Sequence, residues 1–268
     1  VAATIGTEII EPGAITIGVL LAALGSAIIW DIATWYFGIP SSSSHALIGG
    51  MIGAAIAGGD LNKVHVEGLE KVAIALFASP ILGMAFGWLL MRLILFLARG
   101  ASPRINGFFK RAQIVTSIGL ALSHGTNDAQ KTMGIITAAL VILGFQSSFA
   151  VQWWVIALCA GAISLGISTG GWRIIKTLGS GMYRIRPIHG FAAQAASTGV
   201  ILSAALLGGP VSTTQVVSSA IMGVGSAERI SKVRWSVAQN ILVAWLVTIP
   251  ASLLLAGVLY WVISHVIR

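Results

Sequence analysis

The chain has 268 residues, of which 56% are hydrophobic and only 9% charged, and its mean hydropathy is +0.92. Soluble domains carry about 25% charged residues, so this composition excludes an ordinary globular enzyme and points to an all-α, polytopic integral membrane protein. The net charge of +8 does not indicate nucleic-acid binding, because most basic residues sit in short loops between apolar runs, where the positive-inside rule puts them.

Residues 14–37 form an apolar run with one charge, Asp31, long enough to cross a hydrocarbon core of about 30 Å. Pro40 and the hydroxyl run Ser41–Ser44 with His45 follow, then a Gly/Ala-rich helix to about Gly58. A proline, then hydroxyls, then small residues reads as a helix start. Residues 59–71 are a mixed polar loop. Residues 72–97 form a long apolar helix, with a kink expected near Pro80. Residues 99–111 read as a basic cytoplasmic loop. Residues 112–145 are expected to cross as a broken helix, with the polar stretch Ser123–Gly134 (SHGTNDAQKTMG) near its middle. An apolar run over 150–168, a basic stretch over 170–187 and an apolar run over 188–207 come next. Pro210 opens a second hydroxyl-led element, Val211-Ser212-Thr213-Thr214-Gln215, running to about Gly225. A short basic loop precedes the last long helix, which contains Pro250.

The two hydroxyl-led starts belong to an internal repeat. Pro40 and Pro210 are 170 positions apart, as are Gly53 and Gly223, Pro80 and Pro250, and Gly87 and Gly257. The loop 59–71 is acidic on balance and its mate 228–234 is basic, which places them on opposite sides of the membrane. Five crossings between them, over 72–97, 112–145, 150–168, 188–207 and 210–225, give inverted-topology repeats, an architecture common in secondary transporters. The element 210–225 is short for a crossing, and re-entrant segments at both hydroxyl-led starts would instead make the halves parallel. The expected organisation is a first repeat over 1–98, the basic loop 99–111 and a second repeat over 112–268.

Three polar clusters in so apolar a chain need a ligand, water or a partner. Helix starts rich in hydroxyls suit an oxyanion, since unpaired N–H groups and the helix dipole favour negative charge. Ser42, Ser43, Ser44, Ser212, Thr213, Thr214 and Gln215 are the candidate donors, though the same residues also serve as plain caps and interhelical glue. In the third cluster Asp128 offers a hard carboxylate for Na⁺ or a proton, and Asn127 and Thr126 offer further oxygens. Gln130 and Lys131 can donate to an anion. A structural Asp–Lys ion pair is the plainer account of Asp128 and Lys131. His45 and His124 are candidate proton carriers, or simply satisfied buried histidines. Gln194, Gln239 and Asn240 read as interhelical hydrogen-bond glue, and Trp153, Trp154 and Trp172 as interfacial aromatics.

The stretch Ser123–Gly134, with Gly125-Thr126-Asn127-Asp128 at its centre, resembles the signature of the inorganic phosphate transporter (PiT) family, in its bacterial form. Pro40–Gly50 (PSSSSHALIGG) and Pro210–Gln215 (PVSTTQ) resemble that family's paired hydroxyl-bearing elements. The resemblance covers essentially the whole chain. It implies a cation-coupled symporter of the bacterial inner membrane, built from inverted repeats with broken helices, taking up inorganic phosphate with Na⁺ or H⁺ by alternating access and using no cofactor. It also implies one Asn-Asp signature per repeat. The mate of Asp128 would fall before residue 1, and the chain opens on Val1 without an initiator methionine, so an N-terminal truncation is expected. Expected partners are inorganic phosphate and membrane lipid, with no nucleic acid and a homodimer as a candidate assembly. Rival readings are a sulfate or other oxyanion symporter, an uncoupled anion channel, and a membrane-embedded enzyme. No nucleophile-elbow, P-loop or HExxH pattern supports the last.

Overall fold

The computed structural model describes residues 1–4, 16–59, 65–102 and 104–266. Within them the chain forms α1 (Ile17–Phe37), α2 (Ser43–Ala57), α3 (Val66–Leu97), α4 (Ile105–Ile142), α5 (Trp153–Ser168), α6 (Trp172–Lys176), α7 (Pro187–Leu206), α8 (Thr213–Glu228) and α9 (Trp235–Val266). A π turn (Thr177–Gly181) follows α6 and a 3₁₀ turn (Ile230–Lys232) follows α8. Of the expected polar loop 59–71, residues 60–64 lie outside the described residues, and the loop is shorter than expected because residues 66–71 already belong to α3.

Local chemistry sets the helix ends. Thr16 caps α1 by accepting the Val19 N–H at 3.2 Å, and Gly38 stops it at a φ of 70°, a conformation that suits glycine. Pro187 occupies the first turn of α7, where its missing N–H costs nothing.

The 170-residue offset is visible in space. α1, α2 and α3 begin within one residue of the positions matching the starts of α7, α8 and α9, and their packing is exchanged: α2 lies along α9 while α8 lies along α3. A Cβ on Gly53 would stand 2.1 Å from the Leu253 carbonyl oxygen, and one on Gly223 would stand 2.1 Å from that of Met84. Small residues let these backbones approach this closely. Such reciprocal contacts are what a local two-fold relation between two three-helix units produces.

The outer surface is oily, with Phe37, Leu97, Phe145, Leu165 and Leu207 exposed. That surface suits lipid rather than water. Among the described residues α1, the Ala73–Leu97 part of α3, and α9 are long and apolar enough to cross a membrane, and α5 reaches that length only together with the segment 172–181, from which it is bent by 65°, the geometry of a broken span or a re-entrant loop. The remaining expected crossings differ. α7, at about 30 Å, and α4, at about 57 Å, are long enough, but polar residues dilute their apolar character and they pack on each other. Thr116 of α4 donates to Gln194 of α7 at 2.8 Å, the interhelical glue expected of that glutamine. α2 and α8, at about 23 Å, fall short of the core thickness.

Two further expectations are corrected. Residues 112–145 are not interrupted at the polar stretch, because α4 is helical from 105 to 142. Its polar groups find partners on neighbouring helices, so no backbone break is required. The basic loop 99–111 is also shorter than expected: residues 105–111 already belong to α4, since Lys and Arg are good helix formers. The basic stretches still share one face. The Arg234 N–H donates to the Met182 carbonyl at 2.9 Å, and the Phe109 and Phe191 rings lie 5.4 Å apart.

Candidate functional site

Because α4 is continuous, its signature residues sort by helical phase. His124, Asn127, Asp128 and Lys131 stand at i, i+3, i+4 and i+7 and share one face. Thr126 stands on another. It is exposed, and its hydroxyl donates to the Leu122 and Ser123 carbonyls at 2.8 and 3.1 Å.

Two helix starts close on the shared face. Ser42 and Ser212 are the extended cap residues of α2 and α8, accepting the N–H groups of His45 at 3.2 Å and Gln215 at 3.4 Å. The capping role is therefore real for these two serines. The next residues reach into the site. Lys131, only 4% exposed, donates to Ser44 Oγ at 2.6 Å, Asp128 Oδ1 at 2.7 Å and the Val211 carbonyl at 2.9 Å. Those contacts account for all three ammonium protons. Asp128 Oδ1 also receives Asn127 Nδ2 at 3.3 Å, and its Oδ2 receives Thr213 Oγ1 and His124 Nε2, each at 2.9 Å. Asn127 Nδ2 additionally reaches the Val211 carbonyl at 3.1 Å.

Either charge alone would be expensive in so dry a place. Together they are neutral, and the two helix starts add partial positive charge near the carboxylate. Asn127 Oδ1 is left over: it is buried and has no hydrogen-bond partner among the described residues. Asp128, His124, Ser43, Thr132 and Cys159 also line a cavity of about 420 Å³, together with the apolar residues Leu158, Ala162, Ile163 and Ile167 of α5.

The structure thus brings together Ser44, Asn127, Asp128, Lys131 and Thr213, with Ser43 and His124 at the cavity. His45 and Gln215 meet beside them, their Nε2 atoms 3.4 Å apart. Thr214 and Gln130 are half-buried and share no hydrogen bond with the cluster among the described residues. The Val211 carbonyl, which accepts from both Asn127 and Lys131, could not be singled out from sequence, since a backbone acceptor leaves no residue signature. Its place directly after Pro210 and before a helix cap was the available signal.

A second polar cluster also escaped the sequence reading. Glu228, at the end of α8, accepts from Tyr183 Oη at 2.5 Å, from Lys232 Nζ at 2.8 Å and from Arg186. Burial works against the Glu228 charge, but the donors from Lys232, Tyr183 and Arg186 outweigh it and hold the carboxyl at about 2. Burial and then the Glu228 carboxylate push the Tyr183 phenol above its ordinary range. These residues lie more than 40 positions apart in part, so no local spacing marks them.

The family model described as the phosphate transporter family matches residues 1–102 and 97–256. A "probable low-affinity inorganic phosphate transporter" of Rhizobium meliloti (strain 1021) is 45% identical over 263 residues, covering 97% of this chain and 79% of that protein. One of the same description from Bacillus subtilis (strain 168) is 42% identical over 270 residues, covering 99% and 81%. Among solved structures, "the sodium-dependent phosphate transporter" superposes with a TM-score of 0.86 at 23% identity, covering 98% of this chain and 84% of that one, a likeness of fold. A family match along nearly the whole length, close relatives and a shared all-α membrane fold agree: the chain belongs to the phosphate transporter family.

Proposed function

We propose that the chain carries inorganic phosphate across the bacterial cell membrane together with a cation, Na⁺ or H⁺, by alternating access. Membership of a transporter family removes the reading of a membrane-embedded enzyme. The observation that carries the proposal is the buried Lys131–Asp128 pair held between two helix starts.

In this reading the pair is a coupling device. Lys131 has three donors and all are engaged, one of them on Asp128. Phosphate is drawn to Lys131, the Ser44 and Thr213 hydroxyls and the two helix starts. A cation is drawn to Asp128 and to the orphan Asn127 Oδ1. The cation displaces Lys131 from the carboxylate and frees its ammonium for the anion. Neither ligand loads well alone, because each needs the ion pair opened and an opened pair leaves a buried charge uncompensated. The exchanged packing of α2 on α9 and α8 on α3 supports alternating access, since both helix starts can move with their host helices.

The test is uptake of labelled phosphate by proteoliposomes under imposed Na⁺ or pH gradients. Uptake should follow one of these gradients and fall to background in Lys131→Met. Flux indifferent to both gradients would mean an uncoupled channel. Sulfate competing as well as phosphate would mean a general oxyanion symporter.

A further inference from the structure

We propose a second anion site, on the face where the basic stretches gather, that takes a phosphoryl group presented by an anionic lipid headgroup or as free phosphate. It lies in a cavity of about 500 Å³ lined by Tyr183, Arg184, Arg186, Glu228 and Lys232. Three cations face one carboxylate there. Glu228 is a positioning residue: Arg186 and Lys232 converge on it from opposite chain segments, and it fixes their heads at the rim. Neither cation is exhausted by that contact. A guanidinium has five N–H donors and an ammonium three, and Arg186 and Lys232 remain 57% and 46% exposed.

Arg184 carries the argument further. It is exposed, lines the cavity, and makes no ion pair or hydrogen bond among the described residues. An unengaged arginine beside two pre-positioned cations is a site for a planar or tetrahedral oxyanion. The signs of the loops put this face at the cytoplasmic leaflet, which carries the anionic lipids. The site has no twin in the other repeat unit: Gly58 occupies the position equivalent to Glu228. It is separate from the Asp128–Lys131 site and does not depend on how that site works.

The test uses the full chain in detergent and compares wild type with Arg184→Gln and Arg184→Gln/Lys232→Gln. Native mass spectrometry counts retained phosphatidylglycerol against phosphatidylcholine, and equilibrium dialysis counts bound inorganic phosphate. Each cation near a membrane surface contributes enough for roughly a fivefold change in affinity. A preference for phosphatidylglycerol that weakens about fivefold in the single variant, and further in the double, assigns the site to lipid. No lipid preference, but one phosphate per chain lost in the variants, assigns it to free phosphate. Equal retention of both ligands by wild type and both variants would overturn the proposal. Arg184 is exposed and makes no ion pair or hydrogen bond among the described residues, so its substitution should leave the fold intact, which thermal unfolding checks.

Discussion

His45 and Gln215 are 170 positions apart and touch each other: their Nε2 atoms are 3.4 Å apart. Residues equivalent under the repeat meet, so the local two-fold axis runs between the first turns of α2 and α8. Both side chains are buried, so this contact joins the two helix starts out of reach of water.

His45→Ala should therefore loosen the junction of the two helix starts. It removes the Gln215 partner at a buried position and leaves a hole, which costs about 1–3 kcal/mol. His45→Gln places the other half's own residue there and should cost visibly less. Thermal unfolding in detergent measures both. Equal losses would mean that this contact does not hold the starts together.

The buried ion pair makes a sharper prediction. Asp128→Asn leaves Lys131 charged and uncompensated, and breaking a buried pair costs about 3–5 kcal/mol. Asp128→Asn/Lys131→Met removes both charges, and its thermal stability should recover most of that loss. Phosphate uptake should not recover, because both ligand-holding groups are gone. A double variant that transports at wild-type rate would reduce the pair to a structural role.

The two hydroxyls on either side of this site should behave differently. Thr213 donates to Asp128 Oδ2, whereas Thr126 donates only to carbonyls of its own helix. Thr213→Val should lower uptake by about tenfold or more, since a charge-assisted hydrogen bond contributes about 1.5–3 kcal/mol. Thr126→Val should leave uptake near wild type. Comparable losses in a vesicle assay would place Thr126 at the ligand after all.

This contrast also explains what was legible in the chain. The repeat could be read because Pro40/Pro210 and Gly53/Gly223 mark backbone needs that few other residues meet. The polar stretch could be read as a site because hydrocarbon tolerates no idle Asp or Lys. The helix phase was hidden by the expectation of a break in α4. With the helix continuous, His124, Asn127, Asp128 and Lys131 fall on one face and Thr126 leaves it. The Val211 carbonyl and the Glu228 cluster were not legible, as both arise from approaches between distant segments.

Glycine gives the last prediction, through space rather than backbone freedom. Gly53→Ala and Gly223→Ala would each press a methyl to 2.1 Å from a carbonyl oxygen of the facing helix. Backbone cannot yield as a side-chain tip does, so the helices must separate, at about 1–3 kcal/mol or more each. The repeat relation makes the two losses similar in size. Gly125, in the middle of the signature, is the control: a Cβ there meets nothing within 4 Å, and replacing a helical glycine by alanine favours the helix by up to about 1 kcal/mol. Gly125→Ala should therefore be at least as stable as the parent when unfolding is followed by tryptophan fluorescence. A loss at Gly125 equal to those at Gly53 and Gly223 would mean that the close helix approach does not set the cost at those two glycines.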